Sequence, residues 1–438
     1  MAVVTVERLT AFATITASTY DRGVTIAAPA SGGRILRLLR STAGIAIAMA
    51  VMNIGTYAFQ MVAARMLGPA QYGAVASMLA LLMVLSVLQL GLQATAARRI
   101  SAAPGDVAAI EQTVLTTTWW AAGLLGLVAL AAAPAVWHLL RLDGLAPAVL
   151  LALCVVPVTV MGGQAGVLQG ERRWLPLSLV YVAVGLPRVA LGVAFLIVSP
   201  SETSAMLAVL LASWVPVAVG SWTLRRRPRP VTVAHEQHER RDLMKETLTS
   251  SVALLAFIAL SNLDVVVARG ALDEHDAGLY AGGLIVTKAV LFLPQFAVVV
   301  LFPSMSTDGE SRGAVLKGLT FLGGIGAAAV VATYVLADLA LVFIGGDEYG
   351  EVRDLLWLFA VLGALLAVLQ LLVYAGLARR GRATKYLVAV GVVVMISAGS
   401  TAGDPTALAT MVAVVDAVLL AVLLTLQLVR HRREAADA

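Results

Sequence analysis

Charge is what this sequence has least of. Only 13% of its 438 residues are Asp, Glu, Lys or Arg, and 60% are hydrophobic, whereas ordinary soluble domains carry about 25% charged residues. With a mean hydropathy of +0.90, most of this chain has lipid as its solvent, which excludes a cytosolic enzyme, a secreted scaffold and a disordered regulator. There is one cysteine, Cys154, so no intramolecular disulfide and no cysteine-based metal cluster can form. A Walker loop, a His-Glu zinc pattern and a nucleophile elbow are also lacking. ATP-driven work and hydrolysis therefore have no residues to carry them, and neither cofactor nor metal is expected. Lysine is scarce too, four against 27 arginines.

Long apolar runs are what the chain has instead. A membrane-spanning helix needs about 20 predominantly apolar residues. Reading between charged or turn-forming breaks gives twelve stretches, at 42–64, 72–97, 113–137, 145–168, 175–198 and 204–224, then 247–268, 279–303, 315–344, 355–378, 386–400 and 407–428. The ninth is long and the eleventh short. With the N-terminus inside, 25 of the 31 basic residues fall on the cytoplasmic side, four (Arg65, Arg141, Arg269, Arg353) fall outside, and Arg188 and Lys288 lie within spans. That asymmetry is a strong positive-inside signal, and with an even number of spans both termini are expected in the cytoplasm. The pI near 9.5 thus reports topology and contact with anionic membrane lipids, and nucleic acid is not an expected partner.

The expected organisation is a cytoplasmic tail over 1–40, a six-helix half over 41–224, a cytoplasmic linker over 225–246, a second six-helix half over 247–428 and a short tail over 429–438. Residues 1–33 lack the basic and apolar regions of a signal peptide. The two halves echo one another at the ends of spans 1 and 7. Ala64-Arg65 is followed by Leu67, Gly68, Tyr72 and Gly73, and Ala268-Arg269 by Leu272, Gly278 and Tyr280. Six spans separate them, so the repeat is parallel. The fold class expected is an all-α polytopic membrane protein of about twelve helices, in two parallel six-helix bundles around a central cavity.

The stretch 53–99, NIGTYAFQMVAARMLGPAQYGAVASMLALLMVLSVLQLGLQATAARR, resembles the opening of polysaccharide-export flippases of the multidrug/oligosaccharidyl-lipid/polysaccharide (MOP) superfamily. The resemblance continues in GVLQGERRW (166–174), VGLPRVALGV (184–193), SNLDVVVARG (261–270), LPQFAVVVLFPSMS (293–306) and YAGLARRGR (374–382). It implies a bacterial plasma-membrane transporter that moves a polyprenyl phosphate-linked glycan from the inner to the outer leaflet by alternating access, with H+ or Na+ coupling. Many members have fourteen spans, and the twelve here lack the C-terminal pair.

Such a substrate needs a path for a polar, phosphorylated head. Charges within the bilayer cost roughly 2.5–3.5 kcal/mol each on insertion scales, so they normally face a cavity or a partner. Arg188 in span 5 and Lys288 in span 8 are candidate phosphate ligands. Pairing of Arg188 with Asp416 or with a carbonyl freed by Pro187 is the structural alternative. Asp264 lies on span 7 at a depth from which Lys288 could pair with it, and Asp264 and Asp416 are the candidate ion-coupling carboxylates. Arg65 and Arg269, equivalent in the repeat, are candidates for gating or head-group contact. Asn53, Tyr57 and Gln60 share one face of span 1, as do Gln89 and Gln93 on span 2. With Asn262 and Gln295 they either line the cavity or tie helices together. Two other functions fit the membrane architecture: a cation-coupled multidrug extruder, and an integral-membrane glycosyltransferase or polymerase. The latter needs sizeable outer loops, and the longest here are 269–278 and 345–354.

Overall fold

The computed structural model describes residues 42–103, 105–225, 236–305, 311–378 and 382–436. Among them it is helical throughout, with fourteen α-helices and one 3-10 segment. The first half comprises α1 (Thr42–Leu85), α2 (Val87–Ala102), α3 (Val107–Leu139), α4 (Leu145–Gly170), α5 (Trp174–Val198) and α6 (Glu202–Leu224). The second comprises α7 (Glu236–Leu260), α8 (Asp264–Ala271), α9 (Glu274–Met305), α10 (Ser311–Val335), α11 (Ala337–Ile344), the 3-10 segment Asp347–Leu355, α12 (Leu356–Ala378), α13 (Arg382–Gly399) and α14 (Pro405–Ala436).

Spans 1 and 2 meet without a loop, because α1 folds sharply at Gly68, where φ is 69° and ψ is 173°. Only glycine adopts that conformation at ease, and the following Pro69 contributes no backbone N–H to continue the ladder. Span 2 then runs on through Ser86 into α2, the hydrogen bonds continuing from Ser86 N to Leu82 O and from Leu90 N to Ser86 O.

Two of the expected spans are built differently from a plain helix. Span 7 is interrupted at Ser261–Leu263, and α7 and α8 meet at a bend of 45°. The over-long span 9 ends at Val335, after which α11 turns away by 90°. The surplus apolar length is thus a separate short helix, with Leu339, Val342 and Phe343 exposed and Leu341 and Ile344 buried. Of the expected linker 225–246, residues 226–235 lie outside those described, and 236–246 are the opening turns of α7. The run from Glu236 to Glu246 contains neither proline nor glycine and is rich in good helix formers. Those turns clasp the first half: Glu246 pairs with Arg98 and Arg99, and Leu243 is buried in a cluster with Leu92, Ile100 and Leu168. The rest of the core is shared between the halves, Phe59, Tyr72 and Met78 packing in one cluster with Tyr280, Tyr349 and Phe359.

Helix pairs approach most closely where side chains are smallest. A β-carbon on Gly55 of α1 would lie 2.7 Å from the carbonyl carbon of Gly185 on α5, and one on Gly166 of α4 would lie 2.7 Å from Ala96 of α2. Close backbone contact of this kind substitutes in lipid for the hydrophobic drive that assembles helices in water. It also fixes the height at which α5 presents Arg188.

Candidate functional site

The two halves touch along two seams related by the repeat. On one, the Tyr57 hydroxyl of span 1 donates to the carbonyl of Ile285 in α9 at 2.6 Å. On the other, the Ser77 hydroxyl of span 2 donates to Val265 O in α8 at 3.1 Å. Beyond Ser77, towards the 65–69 turn, Gly73 and Gly278 meet back to back: a β-carbon on Gly73 would be 3.0 Å from the Gly278 backbone. This end, where the segments 140–144, 269–274 and 345–355 bond across the halves, is the closed end. The opposite end, where Arg98, Arg99, Arg172 and Arg173 gather, is the basic end.

Arg188 is buried, with 8% of its surface exposed. Its Nε has no hydrogen-bond partner, and neither Asp416, the partner of the structural alternative, nor any other carboxylate lies in ion-pair reach among the described residues. The amides nearer the basic end behave differently from one another. Gln93 is buried and donates to Tyr181 Oη at 2.8 Å and to Gln169 Oε1 at 3.0 Å, tying spans 2, 4 and 5 together. Gln89 packs on Gly162 of α4. Asn53 and Gln60 are half-buried on α1 and make no hydrogen bond among the described residues. Gln295 lies in α9, with its side chain outside the described residues.

The second half concentrates its charge at the break in span 7. Breaking a helix leaves carbonyls without partners on one side and N–H groups on the other, with partial negative and positive charge respectively. Lys288 Nζ reaches the carbonyl of Ser261 and, at 2.9 Å, the side-chain oxygen of Asn262. Asn262 is itself braced by Nδ2 donating to Ile258 O at 2.8 Å and to the Ser261 hydroxyl at 3.0 Å. Asp264 occupies the first turn of α8, where the helix dipole favours a carboxylate. One of its oxygens accepts from the Tyr280 hydroxyl at 3.2 Å, and the other has no partner. Lys288 and Asp264 therefore form no direct ion pair: Lys288 is held by the carbonyl side of the break, while Asp264 stands at the N-terminal end of α8 with one oxygen on Tyr280 and the other unpartnered among the described residues. Asp416 on α14 is fully buried, with both carboxylate oxygens unpartnered, and feels the charge of Asp264.

Arg65 and Arg269, equivalent in sequence, are not equivalent in space. Arg65 is exposed and has no partner among the described residues. Arg269, 1% exposed, donates to Leu140 O (2.8 Å), Arg141 O (3.0 Å), Ala70 O (3.1 Å) and Glu274 O (3.4 Å). Its guanidinium is saturated by the closed end and does not reach the Asp264–Lys288 region. Sequence reasoning passed over Arg141, Tyr280, Ser261 and Tyr349. Only Tyr280 carried a signal, its match to Tyr72 in the repeat. A surface groove of about 570 Å³, lined by Asp404, Thr406, Ala407, Thr410, Met411 and Val414, lies on α14 and shares no residue with any of these sites.

The arrangement is two helical halves with buried, incompletely satisfied charges close to their seams, and comparisons with known proteins agree with that architecture. A structure described as the inward-facing conformation of a multidrug resistance MATE family transporter of the MOP superfamily is similar over 90% of this chain and 99% of that one, at 16% identity and a TM-score of 0.71. The outward-facing conformation of a transporter described in the same words covers 94% of this chain and 100% of that one, at 17% identity and a TM-score of 0.56. A MOP superfamily transporter from Pyrococcus furiosus, described as having a binding pocket of reverse polarity, covers 94% and 100%, at 16% identity and a TM-score of 0.56. No curated protein matches. The family model described as polysaccharide biosynthesis protein matches residues 38–307, more than half of the chain, and so this chain, which shares the fold of those MOP superfamily structures, belongs to the polysaccharide biosynthesis protein family.

Proposed function

We propose that this transporter carries a lipid-linked oligosaccharide or polysaccharide precursor, attached through a polyprenyl phosphate, from the inner to the outer leaflet for surface polysaccharide synthesis. The observation that carries the reading is the state of two cations within the spans, Arg188 buried and Lys288 half-buried. Among the described residues Arg188 has no counter-ion, and Lys288 is held by neutral oxygens instead of a carboxylate. An unpaired charge in a low-dielectric setting is strongly unfavourable, and a phosphate entering between the halves relieves it at both positions. The family description supports the glycan half of the proposal. The halves 41–224 and 247–428 would move as bodies about the two seams. The sealed end and the higher TM-score to the inward-facing neighbour support an inward-facing state, with the closed end outside as the basic-residue asymmetry requires. Asp264 and Asp416 would supply the H+ or Na+ coupling, with Tyr280 orienting Asp264.

A second reading, cation-coupled multidrug extrusion, is favoured by one observation: Asp416 is a wholly buried carboxylate with no partner, a group that would bind a cationic drug as readily as a coupling ion. Deleting the gene in its native host separates the two. The flippase reading expects a lipid-linked glycan stranded in the inner leaflet and reduced surface polysaccharide, with cytoplasmic glycosyltransferase activity intact. Unchanged delivery of the precursor to the outer leaflet, in a host without a redundant flippase, would refute it.

A further inference from the structure

We propose that Arg141 and Arg269 form a reciprocal latch across the two halves, and that its release is the step that opens the closed end. Helix α3 ends at Leu139 with Leu140 as its cap, and Arg141 follows in the left-handed region with φ at 47°. That is the position where helices are commonly ended by glycine, because any β-carbon there crowds the backbone. Arginine is nevertheless present, and its side chain explains why. The Arg141 guanidinium crosses to the second half and donates to Arg269 O at 2.7 Å, Gly270 O at 3.0 Å and Leu272 O at 2.7 Å. These are the carbonyls at the end of α8, which have no partner within their own helix.

The exchange runs both ways. Arg269, in the last turn of α8, donates to Leu140 O and Arg141 O, the equivalent carbonyls at the end of α3. Each arginine thus caps the helix of the other half, and a cation at a helix C-terminus is favoured by the dipole as well as by the hydrogen bonds. Acidic groups of both halves offset the two positive charges. Glu274 lies 3.7 Å from Arg269, and the buried Glu202, which accepts from Asp143 N at 3.2 Å, acts on it at longer range. At the place related by the repeat, Tyr349 donates to Ala64 O at 3.2 Å, closing the end of span 1 from the segment that follows span 9.

This is built to come apart. Arg141 is exposed, and the atoms it holds are helix-end carbonyls that water can take over once the halves separate. Opening therefore strands no buried polar group, unlike separation of a buried ion pair. The latch also has a route to the interior: α8 is eight residues long, with Asp264 in its first turn and Arg269 in its last. Any change at the buried break in span 7 tilts the helix whose far end carries the latch.

The inference goes beyond the choice of substrate, and its test needs none. In a Cys154→Ala background, cysteines placed at Gly144 and Gly350, where an added β-carbon meets nothing within 4 Å, carry spin labels on opposite halves of the closed end. Electron–electron distances are then read in lipid nanodiscs. Arg141→Gly suits the left-handed backbone while removing the crossing side chain, and should raise the ratio of separated to closed distances by about tenfold, the scale of a modest shift between two states. Arg141→Lys, which keeps the charge but replaces the guanidinium, whose Nη2 alone makes the three contacts, by an ammonium on a shorter stem, should lie between. Identical distance distributions for the parent, Arg141→Gly and Arg141→Lys would overturn the latch. Loss of folded protein in Arg141→Gly would overturn it too, since the contact would then be structural. A failed flippase assay with a positive distance shift would leave the latch standing and reject only the substrate.

Discussion

Span 1 folds as one uninterrupted helix up to Gly68, whereas its counterpart span 7 is broken at Ser261–Leu263, and the buried charge follows the break. In the first half the only buried basic side chain among those described is Arg188, surrounded by neutral groups, and polar side chains such as Gln93 are spent on tying helices together. In the second half Lys288 and Asp264 lie at helix ends that can stabilise charge of either sign, and Asp416 is buried in the middle of α14. Repetition supplied the same scaffold twice. Interrupting one copy created a place where ionised side chains are held by backbone dipoles, and the uninterrupted copy holds its cation without that help.

The sharpest way to break this comparison is to exchange the charges at the interruption. From sequence, Asp264 and Lys288 look like a pair that a swap would preserve. The geometry says otherwise, because an aspartate at 288 would face the carbonyl of Ser261 and the side-chain oxygen of Asn262, and a lysine at 264 would face the positive end of α8. The double variant Asp264→Lys, Lys288→Asp should therefore lose about 3–5 kcal/mol, as breaking a buried charge arrangement does, and show little folded protein by fluorescence-detected gel filtration. Wild-type abundance would mean that the two side chains do pair directly. Arg188→Leu tests the other half and should go the opposite way. Removing an uncompensated buried charge leaves the melting temperature equal or higher, while glycan-lipid translocation in proteoliposomes falls at least tenfold, roughly 1.4 kcal/mol of lost phosphate contact. Full translocation by Arg188→Leu would remove it from the substrate path.

Much of this fold was legible because lipid imposes simple rules. Apolar runs of about 20 residues mark membrane-spanning helices without reference to tertiary contacts. The two misread elements, the break in span 7 and the right-angle turn before α11, involve no proline and no charge run. The turn before α11 is apolar sequence whose course is set by what it packs against, whereas the break carried a polar signal, Ser261-Asn262 ahead of Asp264 in the first turn of α8, that averaged hydropathy smooths over. The site was legible in residue type but not in partnership. Lys288 and Asp264 stood out as intramembrane charges, yet depth along two helices cannot tell that a carbonyl freed by a helix break lies closer to the ammonium than the carboxylate does. Gln93 illustrates the converse, since its place on a polar face is compatible with a cavity, and only its bonds to Tyr181 and Gln169 assign it to packing.

A smaller effect is expected where charge can be removed without disturbing a bond. Asp416 is fully buried with neither oxygen partnered, so Asp416→Asn keeps the shape and deletes only the titratable charge. Stability should stay within about 1 kcal/mol of the parent or rise, because desolvation of a carboxylate is avoided. If Asp416 supplies the coupling, transport should persist down a substrate gradient but cease to respond to an imposed proton or sodium gradient. A variant that still follows the ion gradient would assign coupling to Asp264 alone.

The smallest effect separates the two arginines that the repeat makes equivalent. Arg65 is exposed and without a partner among the described residues, while Arg269 donates to carbonyls of Leu140, Arg141, Ala70 and Glu274. An exposed side chain away from any specific contact typically changes stability by no more than about 0.5 kcal/mol when replaced, so Arg65→Gln should melt within a degree or two of the parent. Arg269→Gln leaves several buried carbonyls short of donors, each costing about 1–3 kcal/mol, and should melt well below it. The contrast also holds for function: with no latch to lose, Arg65→Gln should keep the parent's distance distribution between labels at 144 and 350. A broadened distribution in Arg65→Gln would restore the symmetry of the repeat, placing a second basic gate at the end of span 1 that is engaged only when the halves separate.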